Sequence, residues 1–407
     1  MTTPRSNKPN TTSRLAARLH RRRQAIAARP RLYAAICLIA IFVAFAIATP
    51  FINAHLQAIA VLDLVANKPV PWAIRKIVSE PVTTNELQIP TNAAPLRSRI
   101  YIPKNHPNAP VIIVLHGVHH LGIDEPRLIA FASAMASCGL RVLTPELPDI
   151  KDYHVGANSI ASIGYAAQWM SYATRHRPVP IMGLSFSGGL ALLAAADPNF
   201  QPDIKFVVAI GSQDEMSRVA TYYRTGEAPR PAGPNELLPP HEYGALVLEY
   251  QNLQDFVPQA DVAALQAVLR AHLYEDGPAE RAAIAALNPQ QLAESKQLLD
   301  TTAAATRTAL QHAETLHIEA MAGVSPHGHL KTLTTPVYLL HGAGDNIIPA
   351  AETEWMAAEL PSTTLQSELI SPVLSHINLD GANPSALDQY RLVHFFALIL
   401  HAAESPN

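Results

Sequence analysis

Ser185, Asp345 and His376 are the residues of this sequence whose types and spacing could do chemistry together. The serine stands in Gly183-Leu184-Ser185-Phe186-Ser187-Gly188-Gly189, between a short strand-like run at 176–182 and an Ala/Leu-rich helical stretch from Gly188 to Ala196. Small flanking residues let strand and helix almost touch, at the cost of a strained backbone at the serine. A serine hydroxyl is a poor nucleophile at neutral pH. It needs an imidazole to take its proton, and a carboxylate to hold the imidazole's tautomer and stabilise its charge. Asp345 follows His341-Gly342-Ala343-Gly344, and His376 lies 31 residues further on. Such a set suits attack on an acyl carbon. Each member has a competitor. Ser185 could simply cap a helix. Ser187 is a second hydroxyl in the same turn, and Asp214 is a second carboxylate after a strand.

Positioning these groups requires a sheet. Residues 109–115 are wholly apolar and bounded by turn signals, as a buried parallel strand is. Leading strands are expected at 87–89 and 98–102, then a helix near 125–137, a strand at 140–144 and a helix near 157–174. Further strands are expected at 204–210, 336–340 and 364–370. Alternation of strand and helix predicts a mostly parallel sheet covered on both faces. Such a sheet carries its site at the carboxyl ends of its strands, where all the motifs fall.

Those motifs run in the order serine, acid, histidine. The serine turn is close to G-x-S-x-G, departing at its fifth place, which is Ser187. The run from His341 to Pro349 resembles H-G-x-x-D-x-x-[IV]-P, and Ser375-His376-Ile377-Asn378 follows the last strand. His116-Gly117-Val118-His119-His120 closes the 109–115 strand. Together they resemble the α/β-hydrolase superfamily, in its serine esterase and lipase-like branch with a helical cap. The likeness covers residues 86–214 and 334–407, about half of the chain. It implies Ser185 as nucleophile, Asp345 as acid and His376 as base. Backbone N–H groups of Val118 and Phe186 would form the oxyanion hole. Some members of the family carry their acid at the place of Asp214.

Between residues 215 and 333 the strand–helix rhythm stops. Gly226 to Pro240 holds five prolines, which bar a helix interior. Helical segments are expected near 243–254, 260–273 and 278–287, with one long helix from Gln290 to Ala322. In the resembling family an insertion here often forms a cap that excludes water from the serine. The alternative is a helical appendage packing elsewhere.

Charge is distributed unevenly. Residues 1–31 hold nine Lys/Arg and no Asp or Glu, leaving 21 basic and 33 acidic residues, a formal charge of −12, for the rest. An acidic body disfavours nucleic acid as a partner. The tail meets an uncharged apolar run at 32–52, about the ~20 residues needed to cross the hydrocarbon core. The positive-inside rule then predicts a single-pass membrane protein with a cytoplasmic tail and the hydrolase unit extracytoplasmic, in the periplasm or at the outer face. A cleaved signal peptide and a buried soluble helix are the competing readings. Residues 53–85 are expected to be a connector, with an interfacial helix over 55–64.

No cofactor or metal is expected. His119 and His120, like His327 and His329, have no Cys or carboxylate at ligand spacing and are expected as solvated loop residues. His341 is expected to pack at a strand end, and Cys138 to fill a helix end. Two functions follow. One is a membrane-anchored serine hydrolase acting on a small-molecule or lipid-like acyl substrate; the other is a non-catalytic binding or scaffold protein of the same fold.

Overall fold

The computed structural model describes residues 30–405 apart from 377, 380, 382 and 383, so most of the basic tail, and Ile377, lie outside the described residues. Contacts divide the chain into two units, residues 1–53 and 54–407. Helix α1 (Pro30–Val65) runs through that boundary. Within the first unit its Ala, Ile, Leu and Phe residues leave large apolar side chains exposed, Ile39, Phe42 and Phe45 among them. From Ala34 the helix is long and apolar enough to cross a membrane: its most apolar stretch of 18 residues has mean hydropathy 2.7, and none of that stretch is buried.

The second unit begins with the remainder of α1, which is not the interfacial connector expected from sequence. Ala54, Ala58 and Val61 recur at helical spacing and are buried, in a cluster with Tyr101, Met135 and Phe396. Short α2 (Trp72–Val78) leads into β1 (Val82–Ile89) and β2 (Leu96–Pro103). Next come β3 (Val111–Leu115), α3 (Pro126–Ser137), β4 (Arg141–Pro145), α4 (Pro148–Lys151) and α5 (Asn158–Ala173). Then β5 (Val179–Leu184), α6 (Phe186–Ala196) and β6 (Ile204–Ile210) follow.

After β6 the sheet is interrupted. Helix α7 (Met216–Thr225) leads to a two-stranded hairpin, β7 (Glu227–Ala228) with β8 (Glu236–Leu237), where the prolines cluster. Helices α8 (Glu242–Gln251), α9 (Val262–Leu273) and α10 (Gly277–Ala285) follow. The long helix expected over 290–322 is instead three: α11 (Pro289–Leu299), α12 (Ala304–Leu316) and α13 (Ile318–Ala322). Asp300 ends the first of them, because its Oδ1 accepts from both the backbone N–H and the hydroxyl of Thr302 and closes a turn. The sheet resumes with β9 (Val337–Gly342), α14 (Ala351–Glu359), β10 (Leu365–Ser371) and α15 (Ala386–Glu404).

The eight main strands lie in the order β1-β2-β4-β3-β5-β6-β9-β10. Only the pairings of β2 with β1 and β4 are antiparallel. Alternate residues of β3 enter different cores: Ile113 and Leu115 pack with Ile163 of α5 and Leu190 of α6, while Ile112 and Val114 pack with Met135 of α3 and Phe395 of α15. Helices on both faces explain why β3 is apolar at every position.

Candidate active site

Ser185 takes φ 56° and ψ −137°, a conformation that L-residues rarely adopt, between the end of β5 and the start of α6. Glycine packing forces it. A Cβ on Gly183 would lie 2.5 Å from the Gly188 backbone, and one on Gly188 would lie 2.0 Å from Ser212 Oγ, so strand and helix meet only because both residues are glycine. The turn is pinned to β6: Ser185 N–H donates to Ile210 O at 2.8 Å, and Ser212 Oγ donates to Ser185 O at 2.8 Å. Ser187 is fully buried, and its hydroxyl donates to His116 O at 2.5 Å. It fastens the turn to the end of β3, and that is the use of a hydroxyl where the motif has glycine. Ser185 makes no side-chain cap on α6.

Its Oγ instead lies 3.0 Å from His376 Nε2, and His376 Nδ1 lies 2.5 Å from Asp345 Oδ2. With Nδ1–H donating to Asp345, Nε2 is free to accept the serine proton. Asp345 is buried at the end of the β9 turn. Its Oδ1 accepts from the backbone N–H groups of Ile347 and Ile348, and its Oδ2 also faces His341 Nε2 at 3.2 Å. Burial alone would raise its pKa. The charge of His376 and the hydrogen bonds from His341 and His376 outweigh that and hold the carboxylate below its ordinary range. Room for the histidine loop comes from Gly342, where a Cβ would lie 1.5 Å from Ser375 O.

Asp214, the rival acid, is engaged elsewhere. Arg218 Nη2 is 2.7 Å from its Oδ2 and His327 Nδ1 is 3.2 Å from it. The ligand atoms of Asp214, His327 and Glu359 lie within 4.8 Å of one another, the separation of a possible metal site. Asp214 Oδ2 already holds the Arg218 guanidinium and both oxygens of Glu359 accept from the amides of Gly328 and Leu330, while Asp214 Oδ1 is buried without a hydrogen-bond partner among the described residues. His327 is thus paired as well as exposed, which sequence spacing alone did not anticipate. His341 packs as expected, fully buried between Thr353 and Ile348, and Cys138 is buried at the end of α3.

Around Ser185, the loop after β3 comes close. A Cβ on Gly117 would be 3.3 Å from Ser185 Cβ, so the segment that leads into Val118 passes close to the serine. Among the described residues, neither the Val118 nor the Phe186 amide donates to a protein acceptor. Phe186 opens α6, whose N-terminus favours negative charge. His116 steadies this loop as a neutral ring. Burial pushes its pKa down to about 4, its Nε2 accepts from Leu147 N–H, and its Nδ1–H donates to Gly117 O.

Insertion residues that sequence reading could not select complete the surroundings. The Tyr243 hydroxyl of α8 donates to Val118 O at 2.7 Å, and the Tyr222 hydroxyl of α7 donates to Asn346 O, beside Asp345, at 3.2 Å. Tyr153 donates to Leu273 O of α9 at 2.8 Å. His119 and His120 are half-buried rather than solvated; they stack on each other, and His120 also stacks on Tyr274. Ser185 is left only 5 % exposed. The arrangement can pass a proton from a hydroxyl to an imidazole braced by a carboxylate.

No protein-family model and no curated protein matches the chain. Among solved structures, the chain is similar to a dienelactone hydrolase from Anabaena variabilis, at 14% identity and TM-score 0.41, over 76% of this chain and 95% of that one. It is similar to 2-hydroxy-6-oxo-6-phenylhexa-2,4-dienoate hydrolase from Rhodococcus, at 15% identity and TM-score 0.41, over 76% and 97% of the two chains. A proline iminopeptidase from Mycobacterium smegmatis gives 16% identity and TM-score 0.42, over 79% and 99%. The chain's own strand order, its crossovers and its strained strand-to-helix turn are those of the α/β-hydrolase fold.

Proposed function

We propose that this chain, with its α/β-hydrolase fold, is a membrane-anchored serine hydrolase that cleaves a carboxylic ester or a related acyl bond. The observation that carries the reading is the continuous line from Ser185 Oγ through His376 to Asp345, on strained backbone at the carboxyl edge of the sheet. Ser185 attacks the acyl carbon as His376 Nε2 takes its proton. Negative charge on the former carbonyl oxygen meets the Val118 and Phe186 amides. His376 returns the proton to the leaving alcohol, and the acyl group stays on Ser185. Water then gives its proton to His376 and attacks the ester, releasing the acid and restoring the serine. The helices between β6 and β9 serve as a cap, and Tyr243 ties that cap to the oxyanion loop. A fluorophosphonate probe should label the wild type and fail to label Ser185→Ala. An unlabelled wild type would leave a binding or scaffold protein of the same fold.

In this proposal the apolar part of α1 is the membrane anchor, with the basic tail cytoplasmic and residues 54–407 on the other side. The length and composition of α1 and the nine cations ahead of it support the assignment. We expect the protein to stay with membranes through a high-salt wash, and protease added from the extracytoplasmic side to reach the hydrolase unit. A soluble mature chain starting after about residue 50 would replace the anchor with a cleaved signal.

A further inference from the structure

At the edge of the sheet opposite Ser185, where β3, β4, β5 and β6 begin, lies a cleft of about 570 Å³. Arg141, Arg175, Arg177 and Lys205 line it, with Glu404 as its one carboxylate among the described residues. Four cations in one cleft are notable on a body whose formal charge after residue 31 is −12. Two of them are anchored and half-buried. Arg141 Nε donates to Ala109 O at 2.8 Å, and Lys205 Nζ donates to Ser405 O at 2.6 Å. Burial lowers the pKa of both, with no acid close enough to oppose it. The other two, Arg175 and Arg177, sit in the turn after α5, where Arg175 and His176 take φ 64° and 57°. Two successive left-handed residues without glycine are unfavourable, yet the turn keeps them and sets both arginines along the cleft. Among the described residues, none of the four cations has a carboxylate partner, and Glu404 is engaged by Gln57 Nε2 at 2.8 Å.

We propose that this cleft is a second binding site, separate from Ser185, for an oxyanion of phosphate type. Guanidinium groups suit it because their planar forks match phosphate oxygens two at a time, and Lys205 adds a point charge at the wall. Like charges brought together without acids repel one another, and a bound dianion removes that cost. A phosphate free in solution and the headgroup of an anionic phospholipid offer the same chemistry.

The test uses the full-length protein in neutral detergent, with two probes. Inorganic phosphate is titrated by calorimetry, and adducts with phosphatidylglycerol or phosphatidylcholine are counted by native mass spectrometry. Wild type should bind phosphate, or retain phosphatidylglycerol over phosphatidylcholine. Arg175→Gln and Arg177→Gln should each weaken that binding roughly tenfold or more. Arg281→Gln, an exposed cation in α10, should not. Binding of phosphate identifies a soluble ligand, and lipid selectivity without phosphate binding identifies a headgroup. Both arginines are exposed, so their exchange should preserve the fold, with circular dichroism as the check; Arg141→Gln, nearer the core, is a secondary variant. Binding of neither probe, or binding unchanged by the two arginine variants, overturns the proposal. No readout passes through Ser185, so the result is independent of the hydrolase reading.

Discussion

Ser185→Ala should lower kcat on a short acyl ester by roughly five to six orders of magnitude, since members of such a set act as a unit and losing the nucleophile removes nearly all of its effect. The protein should remain folded. Ser185 holds φ 56° only because the turn compels it, so Ser185→Gly should be equally inactive yet more stable, by about 1 kcal/mol. With Ser185 in the proposed role, its strained backbone predicts stability and activity moving in opposite directions, which thermal unfolding beside ester hydrolysis would reveal. Ser187→Ala is the contrasting variant. It leaves the nucleophile and removes a buried hydrogen bond to His116 O, costing about 1 kcal/mol of stability and far less activity. If Ser187→Ala were inactive and Ser185→Ala active, the assignment of the nucleophile would be wrong.

Asp345→Asn is the second large effect, a loss of about four orders of magnitude in turnover, because an amide can hold the imidazole in the wrong tautomer and cannot balance its charge. Asp214→Asn should be mild in turnover, since that carboxylate meets Arg218 and His327 rather than His376. The two acids also differ in how they affect stability. Asp345 is held below the ordinary carboxylate range, so its contribution is present above the unfolded value of about 4 and is lost as pH falls below it. Asp214 is pushed up to about 6, by burial first and then by the charge of Glu352. It keeps its proton longer when folded than when unfolded. Its contribution is therefore complete below about pH 4 and is lost as pH rises through about 6. Urea unfolding between acid and neutral pH should show Asp214→Asn abolishing the decline on the neutral side. Wild-type activity of Asp345→Asn across neutral pH would exclude Asp345 as the acid.

What the sequence by itself determined was whatever depends on near neighbours in the chain. Apolar runs such as 109–115 announce buried strands, and Gly183, Gly188 and Gly189 announce a turn that only small residues permit. The order of serine, acid and histidine motifs pointed to the sheet before any strand was paired. The uncharged run after nine cations marked α1, but not where it stops: Ala54, Ala58 and Val61 continue the helix because a core elsewhere accepts them. Asp300 split the expected long helix through a local hydrogen bond that periodicity does not register. Only the tertiary structure decided which carboxylate meets His376. Asp214 and Asp345 both follow strands, and the choice lies in Arg218 drawing one away and the β9 turn presenting the other. It alone gave Ser187 a partner on β3 and set Tyr243 against Val118. It also gathered Arg141, Arg175, Arg177 and Lys205 into one cleft. These contacts join segments up to 125 residues apart, and for such pairs the sheet's crossovers, not local propensity, determine who meets whom.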